Sequence, residues 1–163
     1  MSEEAERKII FLIEDNQGDI RLIQEAFKAT GTPCEVTVAR DGVEAMKRLR
    51  ERGFGSLQQP DLGKPDSGKP DSGLPDLILL DLNMPKKDGR ELLAEIKADS
   101  DLMHIPVVVL TTSQNEEDIY DCYSLHVNCY ITKSRTLAQL FTIVQGIEAF
   151  WLKTAALPNR VTY

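Results

Sequence analysis

The chain has 163 residues, 42% of them hydrophobic and 28% charged, a composition that suits a folded domain with a real core and excludes disorder. The formal net charge of -7 and the pI near 4.9 argue against nucleic acid as a partner. No apolar run approaches the roughly 20 residues that span a bilayer, the N-terminal stretch Met1–Glu6 is acidic and lacks a signal-peptide core, and Cys34, Cys122 and Cys129 are too scattered for a disulfide framework. A cytoplasmic protein with reduced thiols is expected, its cysteines acting as small buried or half-buried hydrophobes.

The run Lys8–Ile13 is continuously apolar after its lysine and ends in Glu14-Asp15, the pattern of a strand buried on both faces. Asn16 to Asp19 supplies turn and cap chemistry. Ile20, Leu22, Ile23, Ala26, Phe27 and Ala29 then recur at helical spacing until Gly31-Thr32-Pro33 stops the helix. The segment Glu35–Ala39 alternates and is β-branched, which suits a strand nearer an edge. A second helix follows Asp41-Gly42, with Val43, Ala45, Met46 and Leu49 as its apolar face, and ends near Gly53. Residues 59–76 form a tandem five-residue repeat with prolines at 60, 65, 70 and 75, read as a solvated loop because it has little to bury.

Leu77–Leu80 is four apolar residues running into Asp81, then the turn Asn83-Met84-Pro85. Asp88-Gly89 opens a helix carrying Leu92, Leu93, Ile96 and Ala98. Val107–Leu110 is a fourth buried strand and leads into Thr111-Thr112-Ser113. Asn115 caps a helix with an acid-rich first turn, favourable against the helix dipole, and Tyr120, Tyr123 and Leu125 follow on it. Asn128–Thr132 is a short fifth strand ending at Lys133-Ser134, and Thr136–Leu152 is the last helix, with a tail from about Pro158. Strand-helix alternation five times over predicts a doubly wound five-stranded parallel sheet. The expected organisation is a tail over 1–7, a domain over 8–153 with the repeat loop at 55–75, and a tail over 154–163.

In such a sheet the strand ends Glu14, Asp15, Asp81, Thr111 and Lys133 fall on one edge, where open α/β sheets bind ligands. Each residue type has a task if phosphate is transferred to a carboxylate. Asp81 would be the nucleophile. Asp15 and Asp81 would hold one Mg²⁺, Asn83 would add its backbone carbonyl, and Glu14 would reach the metal through water. Lys133 would pair with Asp81 and then with a phosphoryl oxygen, and the Thr111 hydroxyl would donate to another.

Glu14-Asp15, Asp81 with Met84-Pro85 and Asp88-Gly89, Thr111, and Lys133 preceded by Tyr130 together resemble the receiver domain of two-component response regulators, from about Lys8 to about Leu152. Finer wording, in Lys86–Glu91, Leu110–Ser113, Val127–Tyr130 and Ile147–Leu152, is similar to the small response regulators associated with cyanobacterial phytochromes. The resemblance implies a flavodoxin-like (βα)5 fold and phosphorylation of Asp81 by a phosphohistidine on a sensor histidine kinase, a phytochrome-type light sensor in the finer reading. It implies a switch in which Thr111 moves toward the phosphoryl group and Tyr130 turns inward. It also implies no enzyme acting on others, but a domain that catalyses only its own phosphorylation and dephosphorylation. Three departures stand out: Ser134 in place of the usual proline, Thr112 in place of a smaller residue, and the repeat loop.

With only a short tail after the last helix, output is expected through protein contact. Leu137, Leu140, Phe141, Val144, Ile147 and Trp151 make one stripe on that helix, and Ile143, Phe150 and Leu152 extend it. This surplus predicts a homodimer through the C-terminal helix, unless the tail folds back over it. A phosphate hydrolase on a similar sheet remains an alternative, weakened because Asn83 stands where a second acid is often needed. A flavin-binding module is another, weakened because no Ser/Thr/Gly-rich loop follows the first strand.

Overall fold

The computed structural model describes residues 7–54, 73–134 and 136–158. Strands β1 (Lys8–Ile13), β2 (Cys34–Ala39), β3 (Leu77–Leu80), β4 (Val107–Thr111) and β5 (Cys129–Thr132) form one parallel sheet in the order β2-β1-β3-β4-β5. Helices α1 (Gln17–Ala29), α2 (Gly42–Glu51), α3 (Gly89–Ala98), α4 (Glu116–Ser124) and α5 (Leu137–Ile147) alternate with the strands. The sheet is doubly wound, as the strand-helix alternation predicts, its order is the flavodoxin-like one that the family resemblance implies, and β2 does lie at an edge.

The pleat sorts the apolar runs into two cores. Ile9, Phe11 and Ile13 point toward α2, α3 and α4, where Met46, Leu49, Leu92, Ile96 and Cys122 meet them. Ile10 and Leu12 point the other way, toward Ile23 and Phe27 of α1 and Leu140 and Val144 of α5. Because both faces are covered, β1, β3 and β4 read as continuous apolar runs rather than alternating ones.

Four expectations need correction. The last helix does not run evenly from Thr136 to Leu152: after α5 the winding loosens to a π-helical segment, Glu148–Thr154, in which the Ala155 amide donates to the Phe150 carbonyl at 2.7 Å. That change of period turns Leu152 into the core, and Leu157 beyond it is buried too, whereas Leu137 is left 71% exposed. Val43, expected on the inner face of α2, is instead exposed, because Ala45, Met46 and Leu49 fill that face. Tyr120 and Tyr123 of α4 are also exposed, and Cys122 is the residue that α4 buries.

The fourth concerns the repeat. Most of it lies outside the described residues, but its end is not a solvated loop: Leu74, Pro75 and Asp76 are buried. The Asp76 carboxylate accepts from the Ile9 amide at 2.8 Å, and its own amide donates to the Ile9 carbonyl at 2.8 Å. The Phe54 amide donates to the Gly73 carbonyl at 3.0 Å, and the Phe54 ring stacks edge-on against Phe11 with centroids 4.7 Å apart. Gly73 has φ +69°, and a Cβ there would lie 2.2 Å from the Arg52 carbonyl oxygen, so glycine is required where the chain returns to the sheet.

Candidate functional site

Four strands deliver a chemistry-bearing residue to one edge. Ile13 and Leu80 are paired in register, so Glu14 and Asp81, the next residues, emerge side by side, and the Asp81 amide still donates to the Ile13 carbonyl at 3.0 Å. Thr111 ends β4, and the amide of Lys133, just past β5, donates to the Thr111 carbonyl at 2.6 Å. Hydrogen bonds of the sheet therefore fix the backbone of every one of these residues but Asp15, which sits exposed at the rim. Gly89 starts α3 against the same turn: a Cβ there would lie 2.4 Å from the Asp81 carbonyl oxygen and 2.6 Å from the Leu82 Cα.

The Lys133 ammonium, 4% exposed, is the centre of the site. It lies 2.5 Å from Glu14 Oε2, 3.0 Å from Asp19 Oδ2 and 3.6 Å from Asp81 Oδ2. The expected Lys133–Asp81 pair is thus present but is the longest of the three. Asp19 escaped notice because an acid three residues after the N-cap Asn16 looks like ordinary capping chemistry. Nothing in its local sequence points to β5.

Charge is unevenly compensated. Burial, reinforced by the neighbouring Asp81 charge, raises Glu14 from 4.5 to about 7, against the opposing pull of Lys133. Burial alone would lower Lys133, but the Asp81 charge and its bonds to Glu14 and Asp19 outweigh that and raise it. A single ammonium does not fully offset the buried acids, so the site favours a further cation.

Glu14, Asp15 and Asp81 each offer a carboxylate oxygen, all within 4.8 Å of one another, the one such group among the described residues. A set of hard oxygen donors fits a small divalent ion of the Mg²⁺ or Mn²⁺ type. The Asn83 amide donates to Asp81 Oδ1 at 3.4 Å, which keeps the turn folded over the acid.

Thr111 is fully buried, and its Oγ1 accepts from the Ser113 amide at 3.4 Å. Ser113 is a joint that the sequence did not announce. Its carbonyl accepts from the half-buried Tyr130 hydroxyl at 2.9 Å, and its own hydroxyl donates to Asp118 of α4 at 2.7 Å. Asp118 pairs in turn with Arg90 at 2.5 Å, and Arg90 with Asp88 at 3.3 Å. Among the described residues no peptide bond is cis, Lys133–Ser134 included. An open polar cleft of about 580 Å³, lined by Thr112, Gln114, Lys133, Ser134 and Gln139, leads to the ammonium. A larger cleft of about 690 Å³ lies at the opposite edge, beside Lys28, Pro33 and Cys34, away from the acids.

The family profile for the response regulator receiver domain matches residues 67–145. Response regulator Rcp1 of Synechocystis sp. is 52% identical over 160 residues, covering 97% of this chain and 99% of that protein. Among solved structures, the phosphorylated cyanobacterial phytochrome response regulator RcpA is 58% identical with a TM-score of 0.79, and the Mn²⁺-bound form of Rcp1 is 52% identical with a TM-score of 0.77. Each alignment covers 93% of this chain and 99% of that structure. Among the described residues no helix is long and apolar enough to cross a membrane.

Proposed function

The chain belongs to the response regulator receiver domain family, and from that premise we propose that Asp81 is the phosphoacceptor of a two-component phosphorelay. An Asp81 carboxylate oxygen attacks the phosphorus of a phosphohistidine on a sensor kinase in line with the P–N bond. That bond breaks, the imidazole leaves with a proton, and an aspartyl phosphate forms. Glu14 through water, Asp15, Asp81 and the Asn83 carbonyl would hold Mg²⁺. The ion would supply neutralisation of charge on the transferring phosphoryl oxygens.

The protein's own residues do the rest. Lys133 takes a phosphoryl oxygen as its partner, and the Thr111 hydroxyl leaves the Ser113 amide to donate to another. Because Ser113 also holds the Tyr130 hydroxyl and Asp118, movement at Thr111 reaches α4 and β5 through one residue. The chemistry is confined to the domain's own phosphorylation and dephosphorylation. The observation that carries this reading is the convergence of Glu14, Asp81 and Lys133 within hydrogen-bonding and ion-pairing distance at the sheet edge.

The word phytochrome in the name of the RcpA structure supports a phytochrome-type sensor as the donor kinase, and the setting we infer for this exchange is cytoplasmic. Output is by protein contact, with a homodimer through the C-terminal segment. There Phe150 is 53% exposed and stacks on Trp151 with centroids 5.0 Å apart. Phosphotransfer tests the reading: an autophosphorylated phytochrome-type kinase should lose its label to this chain in the presence of Mg²⁺. Retention of the label on the kinase, or equal transfer to Asp81→Asn, would refute it.

A further inference from the structure

Asp19 occupies the third position of α1, and its amide is capped by the Asn16 side chain at 2.9 Å. An acid at that position ordinarily reaches back to the amide of the capping residue. Here the Asn16 amide is already taken by Glu14 Oε1 at 3.1 Å, and the Asp19 carboxylate faces across the site to Lys133. The three carboxylates around Lys133 are not equivalent. Glu14 and Asp81 are interior and belong to the oxygen cluster that can hold a cation, whereas Asp19 is one-third exposed and stands outside that cluster.

We propose that Asp19 is a positioning residue: it keeps the Lys133 ammonium paired on the α1 side of the site, so that Glu14 and Asp81 are released to a divalent cation. The inference rests on the metal-dependent phosphoacceptor reading and adds a residue to it. The physical reason is the cost of an unpaired buried charge. When a cation takes over Glu14 and Asp81, a 4% exposed ammonium must find another partner or compete for those acids. Asp19 is placed to be that partner. Without it, Lys133 stays on Glu14 and Asp81 and opposes the cation.

A double-mutant cycle separates this role from a general effect of charge or of helix capping. Mn²⁺ affinity is measured calorimetrically on the full chain for wild type, Asp19→Asn, Lys133→Met and the double variant, with circular dichroism as the folding check. The expected result is about fivefold weaker Mn²⁺ binding for Asp19→Asn in the wild-type background, and less than about twofold when Lys133 is already Met. Asp19→Glu, which keeps the charge, should restore most of the loss. Equal losses in both backgrounds would mark through-space attraction, and no loss in either would mark an idle contact; both overturn the proposal. An Asp19→Asn chain that fails to fold overturns it as well, since the residue is then part of the helix start. Phosphorylation of wild-type Asp81 by a small acyl phosphate is run alongside. Its failure sinks the phosphoacceptor reading, whereas phosphorylation without coupling in the cycle sinks only the role of Asp19.

Discussion

Replacing Lys133 by Met removes the ammonium that three carboxylates share and keeps most of its volume. Its side chain is 4% exposed, Glu14 is 2% and Asp81 9%, so solvent screening is slight. Breaking a buried pair by deleting one partner costs about 3–5 kcal/mol. The full cost should appear only at alkaline pH, because Glu14 has an escape. It already titrates at about 7, and losing the lysine, which lowers that value, moves it higher.

Wild type shares the extra native-state proton from 4.5 up to about 7, but above about 7, up to its own higher folded value, only the variant still holds one proton more in the native than in the unfolded state. Stability therefore falls as pH rises through this window, by about 1.4 kcal/mol per pH unit at full proton difference. Urea unfolding of Lys133→Met should show a deficit of about 3 kcal/mol near pH 8 that shrinks by about half near pH 6.5, and added Mg²⁺ should recover part of it. A deficit independent of pH and unmoved by Mg²⁺ would refute the picture of a buried, under-compensated acid cluster.

Three further outcomes follow from the same geometry. Glu14 is protonated below about 7, so Mg²⁺ binding to wild type should weaken as pH drops through 7 and release protons, whereas Glu14→Gln should flatten that dependence in calorimetry. Gly89→Ala forces a Cβ into the Asp81 carbonyl and the Leu82 Cα, both backbone atoms, and should cost about 2–3 kcal/mol in thermal unfolding together with loss of phosphorylation. Phe150→Glu places a charge on the exposed aromatic of the C-terminal segment and should yield a monomer by light scattering, with phosphorylation of Asp81 retained.

The sheet was legible because burial on both faces writes β1, β3 and β4 as unbroken apolar runs, and the acids, hydroxyl and lysine follow those runs directly. Fixing the strand ends on one edge fixes the candidate residues too. What stayed hidden depends on long-range geometry. The widened winding at Glu148–Thr154 has no local signature, and its partner is remote: the Thr32 hydroxyl, in the loop after α1, donates to the buried Glu148 carboxylate. That widening turns Leu152 into the core. The pairing of Lys133 with Glu14 ahead of Asp81, and with Asp19 at all, follows from side-chain reach from the end of β5 to the end of β1 and the start of α1, with β3 and β4 lying between the two strands. The buried end of the repeat was missed because Leu74 and Pro75 sit in a sequence whose composition is that of a loop, while Asp76 clamps β1 through its carboxylate and its own amide, a contact 67 residues away in the chain.

The central claim is that the carboxylate of Asp81, held at the end of β3 among Glu14, Asp15, Thr111 and Lys133, accepts a phosphoryl group in the presence of a divalent cation. Intact-protein mass spectrometry after incubation with Mg²⁺ and a small acyl phosphate addresses it most directly. The expected result is the gain of one phosphoryl group by wild type, lost when Mg²⁺ is chelated and absent in Asp81→Asn. An unmodified wild-type mass, or an equal gain by Asp81→Asn, would contradict it.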